Sequence, residues 1–216
     1  MSNQTNMDHT PMEMALRRGG GDETAAAERA AARLSQRIAA EGLADVSYAQ
    51  VDSPFGTLLV AGTPRGLVRL AFPEESVESV LEGLSLRLSP RIVESSAPLE
   101  LVRRELEEYF AGQRRHFEIP LDWSLVGPFG RRVLRVTSEI PFGGVLSYAE
   151  VAAEAGSPRG SRAAGNALGS NPIPIVIPCH RVLRSGGALG GYGGGIERKR
   201  WLLELEGALA PGGRAR

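Results

Sequence analysis

Cys179 is the only cysteine among 216 residues, and it stands in the pentad Pro178-Cys179-His180-Arg181-Val182. A thiol beside an imidazole and a guanidinium has the makings of a nucleophile. The thiolate is the reactive form, and nearby positive charge favours it, so the pentad predicts a lowered Cys179 pKa. A lone cysteine is more often a small buried hydrophobe, and successive residues often point apart, so adjacency leaves both readings open. An apolar run from Ile173 to Ile177, interrupted by Pro174 and closed by Pro178, leads into the thiol. Such a run predicts a buried extended segment. Its strand pairing stops at Pro178, which has no amide hydrogen. Asn171 stands eight residues before the cysteine.

The pentad with Asn171 upstream resembles the active-site signature of the O6-alkylguanine-DNA alkyltransferases, also called methylated-DNA–protein-cysteine methyltransferases. The resemblance is continuous from Phe129 to Gly207, weaker over residues 45–126, and absent from the first 44. It implies direct DNA repair, in which an alkyl group, methyl foremost, passes irreversibly from guanine O6 to Cys179. Thymine O4 is a second target, and each molecule reacts once. His180 is then the base, acting through a water, and Glu206 orients it. Asn171 braces the turn that carries the thiol.

The target atom lies inside the duplex, so the resemblance also implies an extruded base. Tyr148 contacts the flipped guanine and its 3′ phosphate, and Arg162 fills the gap left behind. Pro174 and Tyr192 form pocket walls, and the backbones of Cys179 and Val182 accept from the exocyclic amine. Gly193 stands where some relatives have serine; its amide can still donate to O6. Gly191 and Gly193 together imply a roomier pocket, open to groups larger than methyl. The implied partner is double-stranded DNA containing O6-alkylguanine, met by a monomer without metal or cofactor. Two other classes remain open: a cysteine hydrolase, which shares the Cys-His pair, and a non-repairing lesion sensor or DNA-binding regulator. The non-catalytic relatives commonly have Trp in place of this cysteine.

These residues need elements to hold them. A helix is expected at 129–139, with Phe129, Val133, Leu134, Val136 and Ile140 on its core side. Ser147 lies three residues before Glu150, the pattern of a capping box, and predicts a helix from Tyr148 to Ala155 stopped at Gly156. Ser157-Pro158 has the look of an N-cap followed by Pro at the first helical position, predicting a helix to Ser170. The pair reads as a helix-turn-helix. The second helix holds Gly160, Ala163, Ala164, Gly165, Ala167 and Gly169 beside Arg159 and Arg162. Such small residues allow close approach, either to a packed neighbour or to a groove wall. In the family the matching helix lies in the DNA minor groove, which would give Ala163 and Gly165 a part in DNA binding. Residues 185–195 form a glycine-rich loop leading into a last helix, Ile196 to Glu206, which is expected to bury Trp201, Leu202 and Leu205.

Upstream, residues 45–126 read as strands and then helices. Strands are expected at 46–51, 57–61 and 67–72, and helices at 74–88 and 98–111, with Pro120 to Gly127 as a linker. The expected fold is α+β: a small ribonuclease-H-like sheet domain at 45–126, then a mostly helical, winged helix-turn-helix-like domain at 127–208. Residues 1–44 read as a disordered tail with an extra helix at 22–42, and 209–216 as a frayed end.

Net charge is zero, but residues 127–216 hold twelve Lys and Arg against six Asp and Glu, and residues 1–126 hold thirteen against nineteen. That asymmetry suggests a C-terminal half that meets a polyanion. Lys199 is the only lysine. One cysteine excludes an internal disulfide and a Cys-rich zinc site. No secretory signal or membrane-spanning run is legible, and a free thiol fits a reducing cytoplasm.

Overall fold

The computed structural model of the chain describes residues 25–27, 29–31, 33–35, 37, 38 and 41–210. The expected tail at 1–21 and the last residues, 211–216, lie outside the described residues. The described residues between 25 and 38 are helical; Leu34 there is 58% exposed and Ile38 is half-buried.

Three antiparallel strands form the first sheet: β1 (Val46–Val51), β2 (Leu58–Thr63) and β3 (Gly66–Ala71). A fourth, β4 (Ile92–Glu94), runs parallel to the outer edge of β1, giving the order β3-β2-β1-β4. Sequence reading missed β4, because three residues are too few to show alternation. Helix α1 (Val77–Arg87) is the crossover that delivers it. The Ser76 hydroxyl caps α1 by accepting from the Ser79 amide. Successive side chains of β2 point to opposite faces. Leu58 and Val60 join the core shared with α2 (Glu100–Phe110), and Leu59 and Ala61 pack with Val80 and Leu84 of α1.

The connection from Pro120 to Gly127 is fastened rather than loose. Leu67 donates its amide to the Pro120 carbonyl, and the Asp122 amide donates back to the Leu67 carbonyl, each at 2.8 Å. Gly66 lies so close to Pro120 that a Cβ would sit 2.1 Å from its carbonyl oxygen. Asp122 is buried and accepts from Thr63, Arg65 and Ser124. Burial pushes its carboxyl up, but those donors outweigh it and hold the pKa at about 2.

The second half holds α3 (Pro128–Ser138), α4 (Tyr148–Glu154), α5 (Ser161–Gly169) and α6 (Ile196–Leu205). Two short strands, β5 (Leu146–Ser147) and β6 (Val182–Leu183), pair in parallel beside them. The capping box is present in full: the Glu150 amide donates to Ser147 Oγ, and the Ser147 amide donates to the Glu150 carboxylate.

Helix α5 begins later than its N-cap pattern predicted. Ser157 to Gly160 instead close a turn, with the Gly160 amide donating to the Ser157 carbonyl at 2.7 Å. Gly160 is the N-cap. A Cβ there would meet Ser157 Oγ at 2.4 Å, so only glycine fits so close to the turn. In α6, Leu202 and Leu203 are buried, while Trp201 and Leu205 are partly buried against the core. Leu209, within the stretch expected to fray, is instead buried and packs with Leu183 and Leu203. One apolar core runs without a break from Leu58 and Leu106 in the first half to Val133, Ile177 and Leu202 in the second.

Candidate active site

The segment before Cys179 is buried, as expected, but it is not extended. Ile173, Ile175 and Ile177 are each at most 1% exposed. The chain folds back on itself, with the Ile177 amide donating to the Ile173 carbonyl at 2.9 Å. Ile175 takes φ 75°, the only positive φ outside glycine among the described residues. Such a conformation costs on the order of 1–3 kcal/mol and persists only where the surroundings over-determine it. Asn171 supplies part of that determination. Its Oδ1 accepts from the Ile173 amide at 3.0 Å, and its Nδ2 donates to the Ile177 carbonyl at 2.9 Å and to Cys179 Sγ at 3.1 Å. Two prolines remove amide donors that a strand would use, so a turn clamped by one amide side chain replaces the strand. Cys179 then opens a single 3-10 turn, Cys179–Arg181.

Glu206 is the hub behind the thiol. It is the C-cap of α6, and its side chain is fully buried. His180 Nε2 lies 2.9 Å from Oε1, and the Tyr109 hydroxyl donates to the same oxygen at 2.6 Å. Arg181 donates Nε to Oε2 at 2.8 Å and Nη2 to Oε1 at 2.9 Å. Burial pushes the Glu206 carboxyl up, but the hydrogen bonds from His180 and Arg181 and the Arg181 charge prevail and hold its pKa at about 2. An ionised carboxylate only accepts, so His180 must donate from Nε2. That leaves a lone pair on Nδ1, which is buried and has no protein partner. Burial also pushes His180 below its ordinary pKa, more than Glu206 raises it, so the ring is neutral.

The expected lowering of the Cys179 pKa is therefore not found in the resting protein. Burial pushes the thiol up; the Asn171 hydrogen bond and the Lys199 charge pull the other way without reversing it. The two neighbours that suggested activation are otherwise engaged, Arg181 with Glu206 and His180 as a neutral base. The cation that acts on the sulfur is one sequence reading passed over. Lys199 is fully buried; its Nζ donates to the Val182 carbonyl at 2.6 Å and lies 5.9 Å from the Tyr148 ring centroid. Burial pushes its pKa down to about 8. A signal existed: Lys199, Leu202, Leu203 and Glu206 fall on one helical stripe, and two charges on an apolar stripe need partners inside.

A cleft of about 440 Å³ opens at the thiol, and Asn171, Pro174, Tyr192 and Gly193 line it with Cys179. The structure thus brings together most of the residues read as transfer machinery. The Tyr192 hydroxyl is buried without a protein partner, and its ring meets that of His180 edge-on at 6.3 Å. Val182 is buried, and its carbonyl already receives Lys199. Tyr148 does not line this cleft. Its hydroxyl donates to the Gly191 carbonyl at 3.2 Å across the glycine-rich loop. A Cβ at Gly190 would lie 2.5 Å from that hydroxyl, which explains one glycine of the loop.

On α5, Arg162 and Ala163 are exposed. Gly165 backs onto the Tyr148 ring, and Ala167 approaches Gly130 of α3. The small residues of this helix thus serve packing on one side and leave an open, side-chain-poor surface on the other.

Residues 46–123 match the family described as 6-O-methylguanine DNA methyltransferase, ribonuclease-like domain, and residues 128–208 match its DNA binding domain. The chain is 41% identical over 167 residues to the methylated-DNA–protein-cysteine methyltransferase of Mycolicibacterium paratuberculosis, covering 77% of this chain and 95% of that protein. It is 34% identical over 163 residues to the constitutive methyltransferase of Bacillus subtilis, covering 74% and 94%. Among solved structures it is similar to the O6-methylguanine methyltransferase of Mycobacterium tuberculosis, with 40% identity, a TM-score of 0.65, and 77% and 95% of the two chains covered. It is also similar to the Mycobacterium tuberculosis OGT in complex with DNA, at 39% identity and a TM-score of 0.61, covering 74% and 92%.

Proposed function

This chain belongs to the methylated-DNA–protein-cysteine methyltransferase family, which repairs DNA directly by alkyl transfer to cysteine, and we propose that Cys179 takes the group from guanine O6. The observation that carries the assignment is buried Cys179 lining a cleft, its sulfur held by Asn171 and its neighbour His180 paired with Glu206. Family membership sets aside the hydrolase, and Cys179, where the non-catalytic relatives commonly have Trp, speaks against the non-repairing sensor.

The chemistry follows from the protonation states. The Cys179 proton passes through a water to His180 Nδ1, the one free lone pair of the ring. Glu206 stabilises the imidazolium that forms, and Lys199 stabilises the thiolate. The sulfur then attacks the alkyl carbon as its bond to O6 breaks, with the amide of Gly193 as the donor for that oxygen. Pro174 and Tyr192 hold the alkyl group, and the backbones of Cys179 and Val182 hold the purine edge. The base reaches the cleft by extrusion from double-stranded DNA, with Tyr148 on its phosphate, Arg162 in the vacated stack, and Ala163 and Gly165 against the groove. Thymine O4 offers the same leaving oxygen. One chain supplies every group, so the protein works as a monomer, and its free thiol suits the cytoplasm.

The product on Cys179 is a thioether. It has no carbonyl carbon for water to attack, and no second cysteine exists to accept the group. Each molecule therefore reacts once. Incubation with an O6-methylguanine duplex followed by intact-protein and peptide mass should find one added methyl, on the Cys179 peptide, and product that plateaus at one equivalent. Product in several-fold excess over protein would refute the stoichiometric mechanism.

A further inference from the structure

We infer that the helix ahead of the first domain is a second contact for duplex DNA, made by Arg29, Arg33 and Arg37 on its phosphates, an inference that rests on the partner read above and not on alkyl transfer. The helix lies outside both family matches, which begin at residues 46 and 128. Nothing in the shared fold gives it a task.

The three arginines stand four residues apart in a stretch whose described residues are helical. At 3.6 residues per turn and 1.5 Å of rise, each step of four turns by about 40° and advances about 6 Å. The three positions therefore share one face and span about 12 Å. Neighbours about 6 Å apart lie within the screening length of about 8 Å at physiological ionic strength, so they present one field. With Ala26, Ala30 and Leu34 they line a continuous groove along the helix. All three arginines are exposed. Arg37 pairs with Glu41 at 3.3 Å, and Arg29 and Arg33 have no ion pair with a described residue. Ala26 and Ala30 on the same face are too short to cover the guanidiniums.

The helix is held close to the first domain. Gly42 takes φ 69°, and the Leu43 amide donates to the Ile38 carbonyl at 3.0 Å, the pattern by which glycine ends a helix. Three residues after Gly42, Asp45 accepts from Ser89 and Arg91, and its amide donates to the Arg91 carbonyl at 3.0 Å. The stripe is thus leashed to β1 by a few residues. A short leash keeps its effective concentration high once the second domain is on the duplex.

Charge selects the partner. Residues 45–126 hold eight arginines against thirteen carboxylates, so the first domain as a whole repels a polyanion. The stripe sets positive charge ahead of it. A duplex carries one negative charge per about 1.7 Å of axis, so the stripe faces several phosphates. Arginine can meet each with two parallel hydrogen bonds. A lipid surface fits less well, because an interfacial helix needs a strongly apolar face. Leu34 and Ile38 are the only large apolar side chains among the described residues of this helix. Phosphate contacts carry no sequence information. The arm therefore holds undamaged duplex as well as damaged, and it takes no part in bond making.

The test is the affinity for an undamaged duplex, measured by fluorescence anisotropy between about 50 and 200 mM salt. Each neutralised phosphate adds about 0.9 to the slope of log affinity against log salt. Replacing all three residues together, Arg29→Gln, Arg33→Gln and Arg37→Gln, should make that slope shallower by about 2–3. Over that range the natural chain should lose about 20- to 40-fold more affinity than the variant. Glutamine keeps helix propensity, and melting temperatures check the fold. The matching triple Arg→Lys variant should keep the natural slope, since it keeps the charge. A slope unchanged by glutamine would overturn the arm. A lysine variant as shallow as the glutamine one would overturn the phosphate contact. Binding to vesicles of anionic lipid that is lost in the glutamine variant, with duplex affinity unchanged, would replace DNA by a membrane. A natural chain without affinity for duplex would refute the DNA partner itself, a separate outcome.

Discussion

Glu206 and Lys199 are buried charges with opposite consequences for stability. The folded Glu206 pKa, about 2, lies below its ordinary value of 4.5. Its contribution is complete above pH 4.5 and is lost as pH falls toward 2. The shift corresponds to about 3 kcal/mol at 1.36 kcal/mol per unit. Glu206→Gln should flatten the loss of stability between those pH values in acid denaturation. It should also cost about 3–5 kcal/mol at neutral pH, because Arg181 is left buried without its partner. The same variant should slow alkyl transfer and move the pH–rate profile to higher pH, since the carboxylate favours the imidazolium and hence the thiolate. An unmoved profile would remove Glu206 from the mechanism. Lys199 has a folded pKa of about 8 against 10.5, so its burial costs stability at neutral pH and the cost fades as pH rises from 8 to 10.5. Lys199→Met should therefore slow transfer and raise the apparent Cys179 pKa without lowering the melting temperature at pH 7. A thiol titration unchanged by that substitution would show that the ammonium does not act on the sulfur.

At the scale of elements, the glycine-rich loop is positioned from both sides. Tyr148, at the start of α4, holds it through Gly191. Arg198 of α6 holds it through the Gly194 carbonyl at 2.9 Å while pairing with Glu74 of the first domain. Its guanidinium also lies 4.8 Å from the Phe72 ring centroid, and a Cβ on Gly194 would lie 2.5 Å from that ring. Arg198→Met should slow reaction with free O6-benzylguanine, because the Tyr192 wall loses its anchor, and leave DNA affinity within about twofold, as a single side chain away from phosphate contacts allows. Arg162→Ala should do the reverse. Exposed on α5, Arg162 has no part in the cleft, so repair in duplex DNA should fall much more than reaction with the free base. Equal losses on both substrates would move Arg162 from extrusion to the pocket or to folding.

At the scale of the whole molecule, the two halves are not independent. Tyr109 of α2 donates to Glu206, and Phe72 packs against Tyr192, so the first domain helps to build the candidate site. Separating the chain after Val126 would expose one side of a shared core. A fragment of residues 127–216 should melt lower and transfer more slowly than the full chain. Deleting residues 1–44 should leave the rate intact, since no site residue lies there; a lost rate with an unchanged melting temperature would give that segment a direct role.

The sequence determined by itself what depends on neighbours along the chain. Helical spacing exposed α2, α3 and α6, the Ser147–Glu150 pair marked the start of α4, and the motif around Cys179 pointed to alkyl transfer. Gly191 and Gly193 already suggested a wide pocket. Only the tertiary structure decided what those faces meet. Glu206 is joined to Tyr109 across 97 residues and to Arg181 across 25, and no local pattern carries such a distance. The turn at Ile173–Ile177 looked like a strand because an apolar run reports burial, not direction; Asn171 and two prolines chose the direction. The resting state of the thiol was misjudged for a related reason. Adjacency in sequence promised it two cations, but a pKa responds to burial and to distances in space. In the fold, Arg181 turns to Glu206, His180 is neutral, and the charge that reaches the sulfur comes from Lys199, about one turn into a different helix.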